Sequence, residues 1–270
     1  MRFDRHLKRA ALLLLAATAA PAAFAQLTTG DGGYDYGEVT LPDKADKAIV
    51  GGGLAVGRRY MGSDERRTSV LPIFDYRWAN GWFAGLSNGV GYNFSTERGL
   101  SYGLRLTADF GRKESRSAAL AGMGDISAKP EIGAFYSQSL GSGLSVHASI
   151  RYGAVGTGLL VDGGVGWSLP LASATRLKLG AALTVANSDY MQDYFGVTPE
   201  QSASSGYQVF NAKAGVRDVR LSAAVVHSFS PQLHMTGGIT VRSLQGDAAD
   251  SPLTREKTSP SAMLGVIYIF

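Results

Sequence analysis

The sequence predicts a transmembrane antiparallel up-and-down β-barrel, and three observations carry that prediction. Apolar residues recur with period two in segments of about ten residues. An export signal precedes them. The chain ends on an aromatic residue at the close of an alternating segment.

The first element is not part of the fold. Arg2, Arg5, Lys8 and Arg9 form a positive region, Ala10 to Ala20 an apolar run, and Ala23-Phe24-Ala25 a small-x-small site. That is the pattern of a secretory signal peptide over 1–25, cleaved near Ala25. A run of eleven residues, ten of them Ala or Leu, is too short for a membrane helix, which needs about 20. Residues 1–25 hold four Lys/Arg and one acid, so +3 of the net +4 is removed and +1 remains on the mature chain. A nucleic-acid partner therefore has no support from charge. Zero Cys excludes a disulfide framework and any thiolate metal site. Thirty-five Gly in 270 residues suit closely packed, curved strands.

Residues 26–47 are polar, with Gly30, Gly32, Gly33, Pro42 and a mixed-charge run from Asp43 to Lys47. They read as a flexible periplasmic lead-in, or a plug, ahead of a barrel over 48–270. Alternation is then explicit. Tyr102, Leu104, Leu106, Ala108 and Phe110 oppose Gly103, Arg105, Thr107 and Asp109. Leu144, Val146, Ala148, Ile150 and Tyr152 oppose His147, Ser149 and Arg151, and the segments 175–186 and 233–242 repeat the pattern. A water-facing sheet would be rich in Lys, Glu and Thr on its polar face. Here that face is Gly, Ser, Thr and single charges of both signs, which suits a narrow lumen.

Parity constrains the strand count. Bacterial single-chain barrels have even strand numbers, short periplasmic turns and longer outside loops. Counting back from Phe270 gives strands 259–270, 232–243, 216–229, 174–187, 159–169, 143–154, 129–139 and 99–111. Turns fall at Ser230-Pro231, around Pro170 and at Gly141-Ser142-Gly143, and outside loops at 112–128, 188–215 and 245–258. Segments 48–59, 68–78 and 81–94 would total eleven, so 81–94 splits near Asn88-Gly89 and the count becomes twelve, with ten as the fallback. Leu264, Val266, Tyr268 and Phe270 share a face, and Tyr268 and Phe270 read as the signal that barrel assembly machinery recognises.

Particular segments then become informative together: Tyr60-Met61-Gly62-Ser63-Asp64-Glu65, Asp75-Tyr76-Arg77-Trp78 before Asn80-Gly81, Ser188-Asp189-Tyr190-Met191-Gln192-Asp193-Tyr194-Phe195-Gly196, Asp218-Val219, and Gly246-Asp247-Ala248-Ala249-Asp250-Ser251-Pro252. From about residue 48 to the C-terminus the chain resembles the MipA/OmpV family of MltA-interacting proteins. The resemblance implies a non-enzymatic barrel in the outer membrane of a Gram-negative cell, in contact with outer-membrane lipid. It further implies a scaffold between a lytic transglycosylase and a penicillin-binding protein, acting in peptidoglycan turnover. Other family members are porin-like or adhesive, so a narrow channel or an adhesin using the outside loops is the alternative. No catalytic or cofactor residue comes with the family.

The residues themselves offer little chemistry. His147 and His234 fall in lumen phase. His227 falls in phase with Leu221, Val225 and Phe229, where a lipid-modifying enzyme would place a base but where interfacial side chains are commoner. Gly51-Gly52-Gly53 and Gly163-Gly164-Val165-Gly166 lack the Lys-Ser/Thr of a phosphate loop. No metal spacing is present. Lumen charges Arg105, Asp109, Glu131, Arg151, Asp162, Lys178 and Arg242 read as a packed network ahead of a solute path. Tyr190, Tyr194 and Phe195, with Tyr207 and Phe210, form either an exposed contact surface with Asp247 and Asp250 or a lid over the barrel mouth.

Overall fold

The computed structural model describes residues 45–153 and 158–270. Twelve antiparallel strands close on themselves in sequence order: β1 (Lys47–Arg58), β2 (Arg66–Arg77), β3 (Trp82–Gly85), β4 (Gly89–Asn93), β5 (Leu100–Asp109), β6 (Lys129–Gly141), β7 (Leu144–Gly153), β8 (Gly158–Ala172), β9 (Thr175–Ala186), β10 (Gly215–Ser228), β11 (Leu233–Leu244) and β12 (Thr258–Ile269). The expected signal peptide and all but three residues of the 26–47 lead-in lie outside the described residues. No helix among the described residues is long and apolar enough to cross a membrane; the crossings are made by strands.

Period two decides which way side chains point. Leu104 and Leu106, Val161 and Val165, Leu221 and Val225, and Leu264 and Val266 are all exposed on the outside of the wall. Their neighbours Arg151, Asp162, Thr184 and Arg220 are buried inside it. An apolar outer face around a polar interior is the inverse of a water-soluble barrel, and it is stable when lipid is the solvent. Aromatic rings collect at the end where the chain terminates. Trp82 meets Tyr92 at 5.4 Å, Tyr92 meets Phe94 at 5.3 Å, and Tyr268 meets Phe270 at 4.7 Å. Such a girdle marks a membrane interface, and the short turns beside it make this the periplasmic end.

The seam joins the first strand to the last. β1 and β12 pair from Ile49↔Ile269 to Val56↔Ala262, and the Phe270 N–H donates to the Ala48 carbonyl at 2.9 Å. The ladder is tight: a Cβ on Gly51 would lie 2.2 Å from the Val266 carbonyl oxygen, so glycine is required there.

Two details differ from the sequence expectation. Pro170 does not make a turn. β8 runs through it to Ala172 with an irregularity at Pro170/Ala172, where the missing N–H costs least. The split at Asn88-Gly89 is real but asymmetric. β3 and β4 have four and five residues, against twelve in β2 and ten in β5. Gly89 has φ +73°, and a Cβ there would sit 2.0 Å from the Leu106 carbonyl oxygen, so the hairpin can press against β5 only with glycine.

Candidate functional site: the lidded lumen

Two loops at the end opposite Phe270 carry three short helices: α1 (Ser188–Phe195) and α2 (Pro199–Ser205) between β9 and β10, and α3 (Gly246–Asp250) between β11 and β12. The Asn187 side chain caps α1 by accepting from the Tyr190 N–H, and a Thr198/Gln201 capping box starts α2. Tyr190, Met191 and Phe195 are buried with Leu160, Ala186, Leu244 and Ala248 in one apolar cluster. A second cluster joins Met123, Val197 and Leu253. Hydrogen bonds lock the loops across large sequence distances: the Tyr60 hydroxyl donates to the Leu253 carbonyl (3.0 Å), the Ser251 hydroxyl to the Phe195 carbonyl (2.6 Å) and the Tyr207 hydroxyl to the Ala119 carbonyl (3.0 Å).

This geometry separates the two expectations for the aromatic loop. Tyr190, Tyr194 and Phe195 are 4%, 8% and 1% exposed, so they are the interior of a lid and not a contact surface. The apolar cluster they complete would be uncovered if they faced out. Asp247 is half-buried and accepts the Lys213 N–H at 2.7 Å. Asp250 remains exposed, paired to Lys257 at 3.0 Å. Tyr268 and Phe270 are exposed on the outer wall at the opposite end.

Beneath the lid lies a belt of charge. The Arg151 guanidinium reaches Glu131 (3.0 Å) and Asp162 (3.4 Å). Asp162 also meets Arg220 (3.3 Å) and accepts from the Thr184 hydroxyl (2.7 Å). Asp218 takes Arg217 (2.6 Å), Arg220 (3.3 Å) and Arg242 (3.7 Å). From the belt, Arg217 donates to the Tyr190 hydroxyl at 2.9 Å, Tyr190 stacks on Tyr194 at 4.5 Å, and the Tyr194 hydroxyl sits 2.6 and 2.7 Å from the two Asp109 oxygens. Burial, with Tyr190 and Asp109 alongside, holds the Tyr194 hydroxyl well above its ordinary pKa of 10, so it is a neutral donor to a carboxylate. Burial lowers the Arg112 guanidinium, which donates to the Tyr194 carbonyl at 2.8 Å. Belt and lid are thus one hydrogen-bonded unit.

The expected lumen charges Arg105, Asp109, Glu131, Arg151, Asp162, Lys178 and Arg242 are all placed inside. Sequence reasoning missed Arg217 and Arg220, and took Asp218 only as part of a family segment and not as a lumen charge. A bulge between Val216 and Asp218 turns two consecutive side chains, Arg217 and Asp218, inward, each fully buried. A strict period-two reading cannot see that. The packed interior is also only partial. A cavity of about 820 Å³ remains, and its lining among the described residues holds seven Arg and one Lys against Asp75 and Asp162. His147 lines it. His227 has Thr175 Oγ1 at 2.9 Å and the Phe229 ring at 4.7 Å, and His234 has the Ser228 hydroxyl at 2.8 Å. These are hydroxyl and ring contacts at the girdle end. No cluster of metal-binding side chains occurs among the described residues.

A family model described as MltA-interacting protein MipA matches residues 50–270. The chain belongs to the MipA family. With that membership and its lipid-facing wall, this is a barrel of the outer membrane. Solved structures similar to it are a NanC porin (12% identity, 82% of this chain and 98% of that one, TM-score 0.47), a KdgM porin (8%, 82% and 98%, 0.43) and an anion-selective porin from Comamonas acidovorans (9%, 84% and 99%, 0.41). No curated protein sequence matches the chain.

Proposed function

We propose that this protein is a non-enzymatic scaffold of the outer membrane that holds a murein hydrolase and a murein synthase together from its periplasmic side. Two things support this reading: membership of a family described by interaction with MltA, and an outer mouth filled by a lid that is welded to the lumen wall through Arg217, Tyr190, Tyr194 and Asp109. The lid carries the reading. A barrel whose outer end is a packed apolar cluster is poorly built for bulk passage and leaves the periplasmic end as the place to meet soluble partners. There the turns are short, so the 26–47 lead-in is the contact of choice. Crosslinking and pull-down from intact envelopes should recover a lytic transglycosylase and a penicillin-binding protein together, and a chain lacking 28–45 should lose them. Equal recovery without that segment places the contact elsewhere, and recovery of neither enzyme overturns the reading.

A second reading, a narrow channel, is favoured by the cationic cavity of about 820 Å³ below the lid. Stable ion conductance of the purified protein in planar bilayers supports it. Under the scaffold reading, no steady conductance is expected while the lid is closed.

A further inference from the structure

The barrel wall is incomplete on one side. β2 pairs with β1 along all twelve residues, but with β3 only from Asp75↔Gly85 to Arg77↔Phe83. β5 pairs with β4 only between Gly103 and Leu106. The ladder ends where the Leu86 N–H donates to the Phe74 carbonyl at 2.9 Å. Toward the lid, no backbone hydrogen bond among the described residues joins 66–73 to any strand but β1. The open side is identifiable residue by residue. Phe74 and Trp78 bond toward β3, so by the period of the ladder Pro72, Val70 and Thr68 turn their backbone groups into the gap. Pro72 has no N–H to leave unsatisfied there.

An open sheet edge at membrane depth is costly unless something polar reaches it. The side chains around the gap say what that is. Outside, Val70, Leu86, Val90 and Leu106 are exposed, forming an apolar rim on the lipid face. Leu86, Val90 and Leu106 also border the cavity that the lumen-facing Arg58, Arg67 and Arg105 line, as do Val165 and Leu179 on the fully paired wall; the opening itself is marked by the missing backbone pairs between β2 and β5. Arg67 lies on β2 and Arg105 on β5, one on each side of the opening. Neither these two nor Arg58 has a carboxylate at ion-pair distance among the described residues. The Nε groups of Arg58 and Arg105 are buried without a hydrogen-bond acceptor. By contrast, the belt arginines Arg151 and Arg217 in the same lumen are paired.

We infer that the gap between β2 and β5 is a lateral binding site for a phosphate-bearing acyl lipid of the surrounding leaflet. Its anionic headgroup enters toward Arg58, Arg67 and Arg105, and its chains stay outside on Val70, Val90 and Leu106. Guanidinium forks match phosphate oxygens, and the acyl chains exploit the apolar rim. The headgroup and its water supply partners to the open edge of β2. The site makes no use of the scaffold reading and stands or falls separately from it.

The test uses the full mature chain, purified in a neutral detergent and examined by native mass spectrometry. Phosphatidylglycerol should be retained at least fivefold over phosphatidylcholine of the same chains. The R67Q/R105Q double variant, shown to be folded by its heat-modifiable gel mobility, should lose that preference. As a second measurement that needs no variant, phosphatidylglycerol with a photoreactive acyl chain should label peptides containing Val70, Val90 or Leu106. Equal retention of the two lipids overturns the proposal, as does an unchanged preference in R67Q/R105Q or labelling spread evenly round the wall. Displacement of the lipid by millimolar inorganic phosphate or glycerol phosphate also overturns it, because the cavity would then be a site for soluble anions.

Discussion

The wall from β6 to β11 and the corner between β2 and β5 are built from the same kinds of residue and reach opposite solutions. On the first side, ladders run the length of the strands. Inward charges meet partners, as Arg151 does between Glu131 and Asp162 and Asp218 does among three arginines, and loops close over the top. On the second, two strands of four and five residues stop partway, and the inward charges Arg67 and Arg105 face a cavity. The lesson is that a charge inside a small barrel is not informative by itself. Its partners decide whether it is structural or available.

The sharpest way to break that comparison is to remove the hub of the paired side. Asp218→Ala leaves the buried Arg217 and Arg220 and the partly buried Arg242 around a missing carboxylate, and removing one partner of a buried pair costs about 3–5 kcal/mol. A large drop in the urea midpoint or in the temperature of the heat-modifiable gel shift is expected. A loss under about 1 kcal/mol would mean that the belt is not what fixes the lid. Next comes Tyr194→Phe, which leaves the buried Asp109 carboxylate without its hydroxyl donor. A hydrogen bond to a charged group is worth about 1.5–3 kcal/mol, and hydrogen exchange over 188–214 should rise while that of β1 and β2 does not.

A pH scan probes the same joint without mutation. Tyr194 holds its proton more tightly folded than unfolded. Its contribution is therefore complete below the ordinary tyrosine value of about 10 and is lost as pH rises from there toward the higher folded value. Faster exchange in the lid above pH 10, with the wall unchanged, is the expected result, and a lid that loosens between pH 6 and 9 contradicts it. The smallest effect belongs to the other side. Arg105→Gln removes a charge without an ion pair, whose ring contact with Phe135 is at 6.0 Å, and should change stability by less than about 1 kcal/mol. Equal losses from Arg105→Gln and Asp218→Ala would erase the distinction between the two regions.

Strand number, order and facing were legible from residues alone, because lipid outside and a narrow lumen inside impose period two along most of each strand. Leu104 against Arg105 is enough to orient β5. The candidate site was legible only in part. Tyr190, Tyr194 and Phe195 stand out in any reading, but whether a loop aromatic faces solvent or a neighbouring loop depends on contacts such as Ser251 to Phe195, 56 residues apart. Arg217 is hidden by a bulge, which shifts the phase by one residue. The open corner is hidden by its ordinary composition: the run from Arg66 to Arg77 looks like any membrane strand, and only the brevity of β3 and β4 shows that half its edge has no neighbour.

The seam carries a consequence in time. Phe270 bonds to Ala48, and every pair from Ile49↔Ile269 to Val56↔Ala262 joins residues more than two hundred positions apart. Contacts of such separation form slowly, because the chain between them must be ordered first. The cylinder therefore shuts only when β12 reaches β1, and until then both strands present unpaired edges on which another chain could pair.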